Sequence, residues 1–169
     1  MHRSMKRAAL ISLVALSALI PALAFAEDAV TVALTAWRIV PKDGREVLEP
    51  ADKAKPGELV EYRATYRNGS AQRVKQVAAT LPIPAGTEYT GIAEPRATLG
   101  SLDGRTFAPL PLKRRVKLAN GRESEQVVPA AEVRWLRWNL TTLDPIAERA
   151  VRARVRVIPV TPVAMEARR

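Results

Sequence analysis

Residues 58–67 read ELVEYRATYR, and this stretch decides the fold class. Apolar or aromatic side chains alternate in it with polar or charged ones, and the apolar set is Val60, Tyr62, Ala64 and Tyr66. A period of two residues is typical of a β-strand that buries one face and exposes the other. The turn sequence Asn68-Gly69-Ser70 follows at once. We therefore predict an antiparallel strand whose aromatic face fills a core.

The same alternation recurs along the chain between Pro and Gly breaks. It predicts further strands at 30–40, 74–81, 87–93, 113–118, 122–128, 132–140 and 146–158, and in the first of these Val30, Val32, Leu34 and Ala36 share one face. Residues 41–57, with Asp43-Gly44 as a turn and Pro50 and Pro56 as breakers, predict a loop, and Asn120-Gly121 predicts a tight hairpin. Trp37 and Trp138 are predicted core residues. No segment after residue 26 has a helical repeat of useful length, so we predict an all-β, antiparallel β-sandwich of about seven to nine strands.

The first 26 residues have the three parts of a secretory signal. Basic residues precede an apolar run from Ala8, and Ala24-Phe25-Ala26 fits the small-x-small rule for cleavage. The alternative is an uncleaved membrane anchor over residues 8–26. We predict a cleaved signal peptide at 1–26, one domain at 27–158 and a loose tail at 159–169. The mature protein would then be periplasmic or secreted, without a transmembrane segment.

Composition limits the chemistry. The chain has no Cys, and its single His is His2, inside the predicted signal. Catalysis by a thiolate or an imidazole, and metal sites built from these ligands, are therefore excluded for the mature protein. The carboxylates are dispersed, without the spacing of a calcium loop. We predict no enzymatic activity and no catalytic, cofactor-binding or metal-binding residues. A hydrolase stays open as an alternative that requires two facing carboxylates in a cleft.

Three motifs lie in a fixed order between the predicted strands. They are Lys55-Pro56-Gly57 leading to Tyr62, Tyr66-Arg67-Asn68-Gly69-Ser70, and Pro82-Ile83-Pro84-Ala85-Gly86-Thr87-Glu88-Tyr89. Together with the closing segments 136–140 and 152–157, they resemble the bacterial extracytoplasmic conserved repeat domain, known as domain of unknown function eleven. The resemblance implies an immunoglobulin-like sandwich outside the cytoplasm, with no assigned activity. The chain departs from that family in a longer, more basic middle at 101–131 and in having a single copy.

The basic residues give the clearest surface signal. The chain carries 27 Lys and Arg against 17 Asp and Glu, a formal net charge of +10. Arg152, Arg154 and Arg156 alternate along the last predicted strand. If that strand pairs with 132–140, as in immunoglobulin-like order, Trp135 and Arg137 share its face. These five residues form a predicted face for an anion or a partner. The alternative is a solvated row of charges that protects an edge from aggregation.

These observations favour an exported structural or protein-interaction module of the bacterial envelope, with an envelope or surface protein as partner. The alternative is a binder of anionic envelope glycan or lipid through the Arg-rich face. A nucleic-acid partner is not expected for an exported protein.

Overall fold

The computed structural model describes residues 29–159. The predicted signal peptide with Ala24 and Ala26, and residues 160–169 of the predicted tail, lie outside the described residues. The described chain forms two antiparallel sheets that pack face to face, together with a separate two-stranded hairpin, so the predicted all-β, antiparallel β-sandwich is confirmed. In the same part of the chain, no helix is both long and apolar enough to span a membrane.

The first sheet has five strands, and the second has four. In spatial order the first contains β2 (Arg45–Pro50), β1 (Val30–Lys42), β3 (Leu59–Asn68), β11 (Glu148–Val157) and β5 (Thr87–Glu94). The second contains β4 (Val74–Pro82), β10 (Trp135–Leu143), β6 (Leu99–Ser101) and β7 (Ala108–Pro109). A separate hairpin joins β8 (Lys113–Lys117) to β9 (Glu123–Val127), and two short 3₁₀ helices span Ala51–Lys53 and Ala130–Glu132.

The described chain therefore has eleven strands rather than the predicted seven to nine. The largest error is β2, which lies inside the stretch that we predicted to be a loop, at residues 41–57. Pro50, which the prediction took as a breaker because proline cannot donate a ladder hydrogen bond, is the last residue of β2, and Pro41, where the predicted loop began, is still in β1. Both prolines lie in the β1–β2 hairpin at the edge of the first sheet. Proline is tolerated at such an edge because the missing N–H needs no partner strand.

The core lies between the sheets, and β3 is the centre of the first. Its register with β1 and β11 confirms the predicted alternation: Val60, Ala64 and Tyr66 are buried against the second sheet, and Arg67 is exposed on the outer side. The second sheet and its neighbours supply the largest fully buried side chains, Leu81, Leu136, Leu143 and Val133. Trp138 is buried among them as predicted. Trp37 is not in this core, because its register with Glu61 places it on the outer face, half-buried.

Two polar side chains of β3 tie the sheets together. The Tyr66 hydroxyl donates to the carbonyl oxygen of Thr80 at 2.9 Å and accepts from the Thr80 N–H at 2.8 Å. These backbone groups belong to β4, which pairs only with β10. The amide of Asn68, fully buried, donates to carbonyl oxygens of Gln72, Leu143 and Asp144 at 2.7–3.1 Å. Each contact satisfies polar groups that burial would otherwise leave at a cost.

The connection between the last two strands crosses from one sheet to the other. β10 lies in the second sheet, whereas β11 returns to the first and pairs with β3 and β5. The assumption that the last strand pairs with residues 132–140 is therefore wrong. In an immunoglobulin domain the last two strands are neighbours in one sheet. Here the hydrophobic side of β11, Val151 and Val155, is buried opposite β10 instead of beside it.

The Tyr66 hydroxyl gives a direct test of the tie between the sheets. Tyr66→Phe keeps the buried ring but leaves the N–H and C=O of Thr80 without that partner. We expect it to lower the free energy of unfolding by about 1–3 kcal/mol, measured by urea denaturation. Tyr62→Phe, on the same strand face, is the matched control, because Tyr62 makes no hydrogen bond through its hydroxyl within residues 29–159. Equal losses for the two variants would contradict the role assigned to the Thr80 contacts.

Candidate functional site

The three alternating arginines of β11 lie on the outer face of the first sheet, and we call Arg152, Arg154 and Arg156 the arginine face. Arg154 makes two hydrogen bonds to the carboxylate of Glu46, at 2.9 and 2.6 Å. Arg152 pairs with Glu94 at 3.0 Å, and Arg156 donates to the carbonyl oxygen of Gly57 at 3.1 Å. Every member of the face therefore already has an oxygen partner.

A buried carboxylate lies under this face. Glu61 is only 7% exposed, and its strand register places it beside Arg154. Arg63 donates to Glu61 at 2.9 Å. The hydrogen bonds that Arg154 donates to Glu46 raise the pKa of Arg154, and the same contacts lower the pKa of Glu46. The positive charge of the arginines is thus largely compensated by carboxylates of the same face, and an incoming anion would compete with them.

The sequence contained part of this signal. Glu61 lies on the predicted polar side of residues 58–67, so a carboxylate on the outer face was readable from the alternation. Glu46 was not, because it lies in β2, which we predicted to be loop. Glu94 becomes a partner of Arg152 only through the pairing of β5 with β11. No local pattern predicts such a pairing.

Trp135 and Arg137 lie on the outer face of the other sheet, opposite the arginine face. The predicted five-residue surface therefore does not exist as one face, because β10 and β11 belong to different sheets. The guanidinium of Arg137 stacks on the ring of Phe107 at 3.5 Å and donates to the Thr80 hydroxyl. Trp135 covers Gly104, where a Cβ would lie 2.7 Å from the indole nitrogen.

The loop beside Trp135 is held by a single carboxylate. Asp103 accepts hydrogen bonds from the N–H groups of Thr106 and Arg105 and from the Ser101 hydroxyl. These contacts lower the pKa of Asp103 to about 2. Because they stabilise the carboxylate, Asp103 supports the loop that packs against Trp135 throughout the neutral range. These contacts account for the carboxylate as a structural group of the loop.

An uncovered apolar strip is the least expected feature of the surface. Val32 and Leu34 pair with Tyr66 and Ala64, so they face the same side as the core. Yet Val32 is 56% and Leu34 is 53% exposed, whereas Tyr66 and Ala64 are 7% and 2% exposed. We call these two residues the β1 strip. The sequence correctly predicts their shared apolar face, but the second sheet does not extend far enough to cover it.

Neither a metal cluster nor a catalytic arrangement stands out in the described part of the chain. Residues 29–159 contain no group of three His, Cys, Asp or Glu side chains that could hold a metal ion. The carboxylates of the arginine face, Glu46, Glu61 and Glu94, are each engaged by an arginine.

No protein-family model, curated protein or solved structure gives a significant match to this chain. The resemblance to the conserved repeat domain thus remains a prediction from the quoted motifs. Function has to be inferred from the surfaces themselves.

The arginine face can be tested by replacing Arg152, Arg154 and Arg156 with Gln. Because these ion pairs are partly exposed, we expect the triple variant to lower the thermal midpoint by no more than about 5 °C. A double-mutant cycle of Glu46→Gln and Arg154→Gln should account for much of the change. A fall several times larger would mean that the arginines are part of the folded core and not a surface.

Proposed function

We propose that this chain is an exported, non-enzymatic β-sandwich module of the bacterial envelope that binds a partner protein through the β1 strip. The observation that carries the proposal is the exposure of Val32 and Leu34 on the core-facing side of β1. On the neighbouring strand β3, by contrast, Val60, Ala64 and Tyr66 face the same side and are buried. Burying two aliphatic side chains that already lie in a rigid strand favours association at little conformational cost.

Docking on the face fits better than addition of a strand to the edge of β4. The Tyr66 hydroxyl occupies the Thr80 N–H and C=O, which an added strand would need. Lys75 is exposed on the same strand, and Pro82 ends it without an N–H. Lysine and proline on an edge strand are devices that discourage pairing with another strand.

The partner is a different protein, with an apolar segment flanked by acidic residues. Without the predicted signal, which carries Arg3, Lys6 and Arg7, the chain has 24 Lys and Arg against 17 Asp and Glu. Two mature copies would therefore bring together net charges of +7 each, which repel. An acidic partner gains from the same field, which also speeds its association. The alternative partner, an anionic glycan or lipid at the arginine face, has less support because Glu46 and Glu94 already occupy Arg154 and Arg152.

The partner site can be tested with Val32→Ser/Leu34→Ser. A photo-crosslinking residue at position 34 of the otherwise unmodified chain should capture a different protein in cells. In a pull-down at high salt, the double variant should no longer retain that protein, while its thermal midpoint stays unchanged. Ile92→Ser/Leu118→Ser is the matched control, because both side chains are about half exposed. Ile92 lies in β5, the other edge strand of the first sheet, and Leu118 lies in the turn of the separate β8–β9 hairpin. Crosslinking from position 33, on the opposite face of β1, should not capture that protein.

Three results would overturn this proposal. One is a crosslinked adduct between two copies of this chain. Another is crosslinking of the same partner protein from both position 33 and position 34. The third is capture that occurs only at low salt and is abolished by Arg152→Gln/Arg154→Gln/Arg156→Gln but not by Val32→Ser/Leu34→Ser. That result would favour the polyanion alternative.

Export has its own test. We expect the mature protein to begin at Glu27 and to be recovered from the periplasm or the medium, as measured by N-terminal sequencing after fractionation. Ala24→Leu/Ala26→Leu should block processing, because signal peptidase requires small residues there. An unprocessed protein that starts at Met1 in the cytoplasmic fraction would contradict the envelope location.

A further inference from the structure

A cavity of about 320 Å³ opens at the edge of the sandwich where β5 and the second sheet diverge. Its walls are largely aliphatic and come from the chain around the β8–β9 hairpin and from the core, namely Ala97, Leu110, Leu112, Val128, Ala130 and Val133. Four of these six side chains belong to the hydrophobic core itself. The pocket is therefore a rigid apolar recess and not a crevice between mobile surface groups.

The longer middle of the chain builds this recess. The N–H of Val128 donates to the carbonyl oxygen of Leu112 at 2.8 Å, and the N–H of Leu110 donates to Thr98 at 3.1 Å. The first bond joins the two ends of the β8–β9 hairpin to each other, and the second ties the chain before the hairpin to the carbonyl oxygen of Thr98, beside β6. Segment 101–131, in which the chain departs from the resemblance described above, thus supplies one side of the pocket, and Tyr89, Ala97 and Val133 contribute to the rest.

Two polar groups converge on the pocket. Tyr89 lies in the wall and is 5% exposed as a residue, but its hydroxyl makes no hydrogen bond within residues 29–159 and is accessible to solvent. Arg96 also lines the pocket as an exposed side chain, and its guanidinium forms no hydrogen bond or ion pair with the described chain. Burial raises the pKa of Tyr89, and the charge of Arg96 acts in the opposite direction. Both groups can therefore be reached by a ligand that enters the pocket.

We propose that this pocket binds a small monoanionic amphiphile, with its apolar tail against Leu112 and Val133 and its carboxylate held by Arg96 and Tyr89. Volume and charge both support this class of ligand. A pocket of this size is at the lower end of those that take small molecules. The exposed guanidinium of Arg96 beside these apolar walls matches a single carboxylate, and hydrogen bonds between charged groups are the strong ones.

Octanoate is the probe, and calorimetric titration of the purified protein is the measurement. Octanol has the same tail without the charge, and acetate has the carboxylate without the tail. We expect octanoate to bind at least tenfold more tightly than either, because only octanoate uses both parts of the pocket. Anionic vesicles form a separate arm, in which binding should be absent if the ligand enters as a free molecule.

The variants separate the two parts of the pocket. Arg96→Gln should weaken octanoate binding about 10- to 100-fold and leave octanol binding unchanged. Arg45→Gln is the matched control, because Arg45 is exposed in the β1–β2 hairpin and lines none of this pocket. Tyr89→Phe should weaken octanoate less than Arg96→Gln does, and Ala130→Leu should weaken octanoate and octanol alike by filling the recess.

Equal affinities for octanoate and octanol in the unmodified protein would overturn the proposal, and so would undetectable octanoate binding at millimolar concentration. Binding to anionic vesicles that is lost with Arg96→Gln, without binding of free octanoate, would assign the recess to a membrane surface instead. Arg96→Gln should leave capture by the β1 strip intact. The outcome therefore does not depend on whether the proposed partner protein is found.

Discussion

The buried amide of Asn68 is the contact on which the relation of the two sheets depends. It lies at the end of β3, in the middle of the first sheet, and its nitrogen reaches the carbonyl oxygens at the end of β10 in the second. Its oxygen also accepts from the N–H and the hydroxyl of Ser70, which shapes the turn into β4. One side chain thus sets both the turn and the packing of β4 and β10 above the first sheet. A buried amide with all its partners specifies one geometry, since any shift would leave polar groups unsatisfied.

This placement leaves the sheets unequal in extent. β4 is the edge strand of the second sheet, and the Tyr66 hydroxyl of the first sheet binds its backbone at Thr80. The first sheet continues through β1 and β2, beyond that edge. The uncovered side of β1 is therefore a consequence of how the sandwich is aligned, and not an isolated pair of exposed aliphatic residues. Exposed apolar residues that are contiguous on a rigid strand are the ones that commonly serve in recognition.

The two outer faces have different chemistry from this strip. On the first sheet, the arginines of β11 are compensated by Glu46 and Glu94, and the buried Glu61 lies beneath them. On the second sheet, Arg137 is stacked on Phe107 and held by Thr80. Both arrangements use charge to rigidify a surface. The pocket lined by Tyr89 and Arg96 and the β1 strip differ from these faces: within residues 29–159, Arg96 forms no hydrogen bond or ion pair, and Val32 and Leu34 are more than half exposed.

The sequence by itself determined the fold class, and it excluded thiolate and imidazole chemistry for the mature protein. The alternation in residues 58–67 identified a strand, its buried face and its outward charges, because side chains of a strand point to opposite sides whatever its neighbours are. The absence of Cys and the position of His2 followed from composition alone. The shared apolar face of Val32 and Leu34 was also readable.

Only the tertiary structure decided which strands are neighbours, and the sites follow from that. The sequence pattern of β11 fits either sheet equally well, because alternation specifies a face and not a partner. Because β11 pairs with β3 and β5, Arg152 lies on a different sheet from Trp135 and directly beside Glu94. Whether Val32 is covered depends on where β4 ends the second sheet. Likewise, the meeting of Tyr89 with Arg96, Leu112 and Val128 depends on long-range packing of the hairpin. These contacts join residues far apart in the chain, and local periodicity has no means of encoding them.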